Sequence, residues 1–232
     1  MQLRRLSIVP VLLSALLLAA CGSEAPAPKS ETEASRDTAT EQPVMGPERR
    51  ILAFGNSLFA GYNVASEDSY PAKLEASLRA KGINARVTNA GVSGDTTAAG
   101  LQRLTFTLDG QQDKPDLFIL ELGGNDLLRG LPVTETRKNI EAMLQELQKR
   151  EIPVLLMGMR APPNFAEFQN EFDSIYPQLA QQYGAELVPF FLESIYQKPE
   201  MIQSDRVHPT EEGIETLVGA TVEAVVRALP EE

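Results

Sequence analysis

Histidine is nearly absent from this chain: His208 is the only one in 232 residues. Cysteine is equally scarce, with Cys21 alone, and tryptophan is missing altogether. A lone cysteine excludes a disulfide framework, and one His with one Cys leaves the common zinc clusters without ligands. No metal site and no cofactor are expected. Positive charge is also in deficit: 21 Lys and Arg stand against 32 Asp and Glu, a net charge of −11. No basic stripe offsets that balance, so nucleic acid, whose phosphates would be repelled, is excluded as a partner. Nor is there an apolar run long enough to cross a bilayer comfortably, which takes about 20 residues.

The apolar run that does occur is N-terminal. Arg4 and Arg5 precede residues 6–20, which are apolar and end in small side chains, the pattern of a secretory signal. The run closes on Leu18-Ala19-Ala20-Cys21-Gly22, which resembles a bacterial lipobox. That resemblance implies cleavage after residue 20 and acylation of Cys21, although an ordinary signal followed by a free cysteine reads the same way. At about 0.8 kcal/mol per buried methylene, several acyl chains would anchor the protein stably. From residue 21 to residue 47 the composition turns to Ser, Thr, Glu, Ala and Pro with almost no large apolar side chain. Such a stretch cannot offset its ordering entropy and is expected to be a disordered tether. Without the signal 19 basic groups face 32 acidic ones, a balance of −13, so the lipid and not charge would hold the domain near a membrane. The expected location is the bacterial cell envelope, periplasm-facing, on the inner or the outer membrane.

Residues 48–232 read as one domain, since 43% apolar content can fill a single core. β-Branched apolar runs alternate with helix-period segments. Strands are expected over residues 50–54, 85–88, 116–122, 153–157 and 185–189, the third apolar enough to be covered on both faces. Ile140, Met143, Leu144 and Leu147 make one helical stripe, and Thr210 caps a last helix whose buried face carries Ile214, Leu217, Val218 and Val225. This alternation predicts a three-layer α/β/α sandwich around a five-stranded parallel sheet, expected to act as a monomer. Sheets of this kind place their sites at the C-terminal ends of the strands.

The chemically loaded residues fall at those ends. After the first strand comes Phe54-Gly55-Asn56-Ser57-Leu58, where a serine at a tight turn can meet a base from elsewhere; a plain helix cap reads identically. After the second comes Asn89-Ala90-Gly91-Val92-Ser93-Gly94-Asp95-Thr96-Thr97, whose glycines let backbone N–H groups approach a ligand. After the third comes Leu122-Gly123-Gly124-Asn125-Asp126, which offers the Asn125 amide as a donor or is ordinary turn chemistry. Near the C-terminus stands Asp205-Arg206-Val207-His208-Pro209, where the carboxylate can hold one imidazole nitrogen and leave the other free, or simply cap a helix.

These four stretches, in this order, resemble the SGNH (GDSL-type) hydrolases, in particular the branch of bacterial secreted arylesterases, thioesterase I and lysophospholipase L1. The resemblance covers the chain from about residue 50 onward. It implies a flavodoxin-like SGNH hydrolase fold and a triad of Ser57, His208 and Asp205. The oxyanion donors it implies are the Ser57 and Gly94 backbone N–H groups and the Asn125 side chain. The implied activity is cofactor-free hydrolysis of a small-molecule ester or a lipid.

One position departs from the family pattern. Asn56 stands where the motif has aspartate, a carboxylate that accepts hydrogen bonds behind the triad. Asparagine keeps the size, loses the charge and exchanges an acceptor oxygen for a donor, so retuned activity is expected. Leu127, Leu131, Pro162 and Phe165, with Leu128, Met159 and Ala161 near them, could line an apolar groove for an acyl chain or merely cover the sheet's end. Two rival readings remain: an envelope carbohydrate O-deacetylase, disfavoured by the absence of Trp and only five Tyr, and a non-catalytic binding lipoprotein.

Overall fold

The computed structural model describes residues 44–163 and 166–231. The expected signal, the acylated Cys21, nearly all of the tether and the groove residue Phe165 lie outside the described residues.

Strand and helix alternate along the chain: β1 Arg49–Gly55, α1 Ser57–Ala60, α2 Tyr70–Ala80, β2 Ala85–Gly91, α3 Thr97–Asp109, β3 Leu117–Glu121 and α4 Gly124–Leu128. They continue as α5 Val133–Lys149, β4 Val154–Met157, α6 Ala166–Asp173, α7 Ile175–Tyr183, β5 Glu186–Val188 and α8 Glu211–Ala228. The sheet order is β2-β1-β3-β4-β5 and every pairing is parallel. Helices cover both faces: α2 packs on α8, while α3, α5 and α7 pack in succession.

The central strand explains the layering. All five residues of β3 are buried, so apolar side chains project to both faces and require a helical layer on each. Ile140, Met143, Leu144 and Leu147 meet that demand from α5, each no more than 1% exposed. Thr210 Oγ1 accepts the Gly213 N–H at 3.1 Å and starts α8, whose Ile214, Leu217, Val218 and Val225 are buried as their spacing predicts.

Strand ends depart from the sequence expectation. β2 runs past Thr88 to Gly91 because its parallel register with β1 continues to the Gly55–Gly91 pair. Pairing there overrides the weak strand preference of Asn and Gly. Gly91 has no substitute at that point, since a Cβ would run into the backbone of α1. β3 and β5 are each shorter by one residue at both ends than expected.

Candidate active site

β1 ends at Gly55, and Asn56 turns the chain into α1 by accepting the Leu58 N–H on its side-chain oxygen at 2.9 Å. Ser57 opens that single turn, only 9% exposed, and Gly61 closes it in the left-handed region at φ 80°. The serine thus stands above the C-terminal end of a strand flanked by β2 and β3.

His208 comes from a tight loop before α8. An isolated bridge between Ile202 and Pro209 closes this loop, and the Gln203 N–H donates to the His208 carbonyl at 2.7 Å. Arg206 turns it at φ 62°. Asp205 Oδ1 accepts the backbone N–H groups of Val207 and His208 at 2.9 and 3.0 Å, while its Oδ2 lies 2.7 Å from His208 Nδ1. Asp205 thus caps a turn of this loop rather than the helix, whose N-cap is Thr210, and its second oxygen faces the ring. The His208 partner, with the two backbone donors, pulls the Asp205 carboxyl down to about 2. On the other side of the ring His208 Nε2 lies 2.8 Å from Ser57 Oγ. A neutral ring with its proton on Nδ1, toward the carboxylate, presents Nε2 as an acceptor to the serine hydroxyl.

The loops after β2 and β3 are tied to each other and to this turn. Gly94 adopts φ 87°, and the Arg129 guanidinium donates to its carbonyl at 2.7 Å. Asn125, in the first turn of α4, donates its side-chain amide to the Asp95 carbonyl at 2.9 Å. Asp126 accepts the Thr97 N–H at 2.8 Å, locking α4 to the start of α3. The Val92 N–H and the Arg103 guanidinium both donate to the Gly55 carbonyl at 3.0 Å, while Arg103 also pairs with Asp95 at 2.6 Å. Ser57, Gly94 and Asn125 consequently converge on one end of the sheet.

Glu121, Tyr62 and Gln203 also belong to this end, and sequence reasoning missed all three. Glu121 closes the buried strand β3 with no exposed surface; its Oε1 accepts Asn56 Nδ2 at 2.9 Å and its Oε2 the Asn56 N–H at 3.2 Å. Burial pushes its carboxyl up to about 8 despite those two donors. The available signal was a single acid inside an otherwise apolar strand. The Tyr62 ring lies over His208 with centroids 4.2 Å apart and planes inclined by 28°. Gln203 donates to the carbonyls of Tyr62 and Pro209 at 2.9 and 2.8 Å, pinning the histidine loop to the segment after α1.

The expected groove residues divide. Leu127 is half-buried and packs on the core, Leu131 is half-buried and Pro162 is exposed. Met159 and Ala161, expected beside them, are buried core residues. Leu128, also expected there, is exposed, as are Tyr62, Val92 and Val207 on the segments that follow α1, follow β2 and carry His208.

Residues 53–215 match the GDSL-like lipase/acylhydrolase family. The chain is 40% identical over 164 residues to an arylesterase of Vibrio mimicus, covering 70% of this chain and 81% of that protein. It is 39% identical over 160 residues to thioesterase 1/protease 1/lysophospholipase L1 of Escherichia coli strain K12, covering 68% of this chain and 74% of that one. Among solved structures it is similar to AlinE4, an SGNH-hydrolase family esterase, at 64% identity and TM-score 0.68, over 81% of this chain and 100% of that one.

Proposed function

The chain belongs to the GDSL-like lipase/acylhydrolase family, and from that premise we propose a serine ester hydrolase in which Ser57 is the nucleophile, His208 the base and Asp205 the orienting carboxylate. One observation carries this reading: the unbroken line from Asp205 Oδ2 through the imidazole to Ser57 Oγ, with contacts of 2.7 and 2.8 Å.

In this mechanism Ser57 Oγ forms a bond to the ester carbonyl carbon as its proton passes to His208 Nε2. The tetrahedral intermediate collapses, the ester C–O bond breaks, and Nε2 returns the proton to the leaving alcohol. Water then gives a proton to Nε2 and attacks the acyl-enzyme, releasing a carboxylic acid and regenerating the serine. Asp205 holds the tautomer and offsets the imidazolium charge. The Ser57 N–H, the Gly94 N–H and the Asn125 side chain stabilise the oxyanion, each worth about 3 kcal/mol in the transition state.

Short alkyl and aryl esters are the proposed substrates, with lysophospholipids and thioesters as larger ones that the exposed Tyr62, Val92, Leu128 and Val207 side chains would help to seat. The proposed setting is the cell envelope, with a monomeric domain held by acyl groups on Cys21. A fluorophosphonate probe tests the chemistry: labelling should occur on the wild type and vanish in Ser57→Ala. An unlabelled wild type would refute the reading. Nitrophenyl esters of graded chain length then report acyl preference, and Cys21→Ser should yield soluble or uncleaved protein.

A further inference from the structure

The triad accounts for Ser57, His208 and Asp205, but not for the buried acid behind the nucleophile. Glu121 is fully enclosed at the end of β3, and its two oxygens take one hydrogen bond each from Asn56, at 3.2 Å from the backbone N–H and 2.9 Å from Nδ2. The same Asn56 side chain accepts the Leu58 N–H at 2.9 Å through Oδ1 and so shapes the turn that presents Ser57. An asparagine can do both because it carries a donor and an acceptor on one planar group.

Resting on the reading of Ser57 as nucleophile, we propose that Asn56 and Glu121 form a charge-tolerant latch, which keeps the serine turn intact when Glu121 ionises and so carries activity into alkaline solution. Both Asn56 groups that face the acid are donors, the arrangement a carboxylate prefers. An aspartate at position 56 would set carboxylate against carboxylate across that 2.9 Å contact. It would hold only while the pair shared a proton, and loss of that proton would drive two like charges apart inside the core. Burial places the Glu121 titration near 8, within the range where an esterase can be assayed.

The other charged or titratable groups around Glu121 are already engaged. Arg103 from α3 pairs with Asp95 and with the Gly55 carbonyl. Tyr176 from α7 donates to the Leu122 carbonyl at 3.0 Å, and Asp126 from α4 holds Thr97. Asp173 from α6 accepts the Ala161 N–H. Asn56 is thus the partner on which the ionised Glu121 depends.

The test is a cycle of kcat/KM profiles from about pH 6 to about pH 10. Asn56→Asp should stay within about threefold of wild type on the acid side and lose about tenfold or more on the alkaline side, where the pair can no longer share a proton. Glu121→Gln should lose activity by a factor that does not vary with pH, because its amide NH2 would face Asn56 Nδ2. The exchange variant Asn56→Asp/Glu121→Gln should lack the alkaline loss. In it the carboxylate introduced at position 56 can accept from the new amide, while the amide oxygen accepts the position-56 N–H. An Asn56→Asp profile parallel to that of wild type would overturn the latch, as would an alkaline loss that persists in the exchange variant. Should Asn56→Asp fail to fold, a pH-dependent loss in Glu121→Gln overturns it equally. Fluorophosphonate labelling of wild-type Ser57 separates these outcomes from failure of the esterase reading itself.

Discussion

At the residue scale, the proposed mechanism depends on how firmly one imidazole is held. Asp205 fixes the ring edge and Tyr62 covers its face. An aromatic face stabilises a neighbouring cation by about 0.5–2 kcal/mol, and the proposed mechanism forms an imidazolium at the transition state. On short esters, Tyr62→Ala should therefore lower kcat about two- to thirtyfold with little change in KM, while Tyr62→Phe, which keeps the ring, should retain wild-type kcat. Equal losses in both variants would point to the hydroxyl instead. Asp205→Asn removes the acceptor that sets the tautomer, and kcat should fall by about 10³–10⁴. The lowered Asp205 carboxyl also has a stability consequence. Its folded value lies below its ordinary 3.8, near 2, so its stabilisation is present above 3.8 and disappears as pH falls through about 2. Acid titrations followed by circular dichroism should show that component missing in Asp205→Asn.

At the scale of elements, function and stability separate. Leu144 of α5 packs in the core and carries none of the proposed catalytic groups, so Leu144→Ala should cost about 2–5 kcal/mol in urea unfolding and leave kcat unchanged. The loop before α8 behaves oppositely: Gln203→Ala removes three side-chain hydrogen bonds that tether it, to Tyr62, Pro209 and Asn63, and kcat should fall several-fold for a loss of only about 1–2 kcal/mol in stability. This contrast tracks what the sequence reveals. Ile140, Met143, Leu144 and Leu147 announce their burial by spacing, Ser57 and Asn125 announce themselves by sitting after strands in short polar motifs, and His208 by being the only histidine, three residues after an acid. Gln203 leaves no such trace, because the carbonyl of Tyr62, far away in sequence, defines its role. Glu121 was hidden differently: an apolar average over β3 absorbs a single acid, and only the fold shows that it faces Asn56. The end of β2 was misplaced for a related reason, since register with β1 extends the strand to Gly91 against local preference.

Over the whole molecule, acidity acts on the fold through two separable routes. The first is local. Glu121 stays protonated in the folded protein up to about 8 but ionises in the unfolded chain near its ordinary 4.5. Between those values the native state binds the extra proton, so stability falls as pH rises and then levels off above about 8. The second is global: with 19 basic groups against 32 acidic ones beyond residue 20, self-repulsion also disfavours the compact state as pH rises. Salt distinguishes them, because surface repulsion is screened over about 8 Å at physiological ionic strength while a fully buried carboxyl is not. Thermal unfolding of the wild type should therefore show Tm declining from about pH 5 to about pH 8 at both low and high salt, more steeply at low salt. In Glu121→Gln the decline at high salt should largely vanish while the low-salt decline persists. A Glu121→Gln curve that keeps the full wild-type slope at high salt would mean that the buried acid is ionised throughout, its two Asn56 donors outweighing its desolvation.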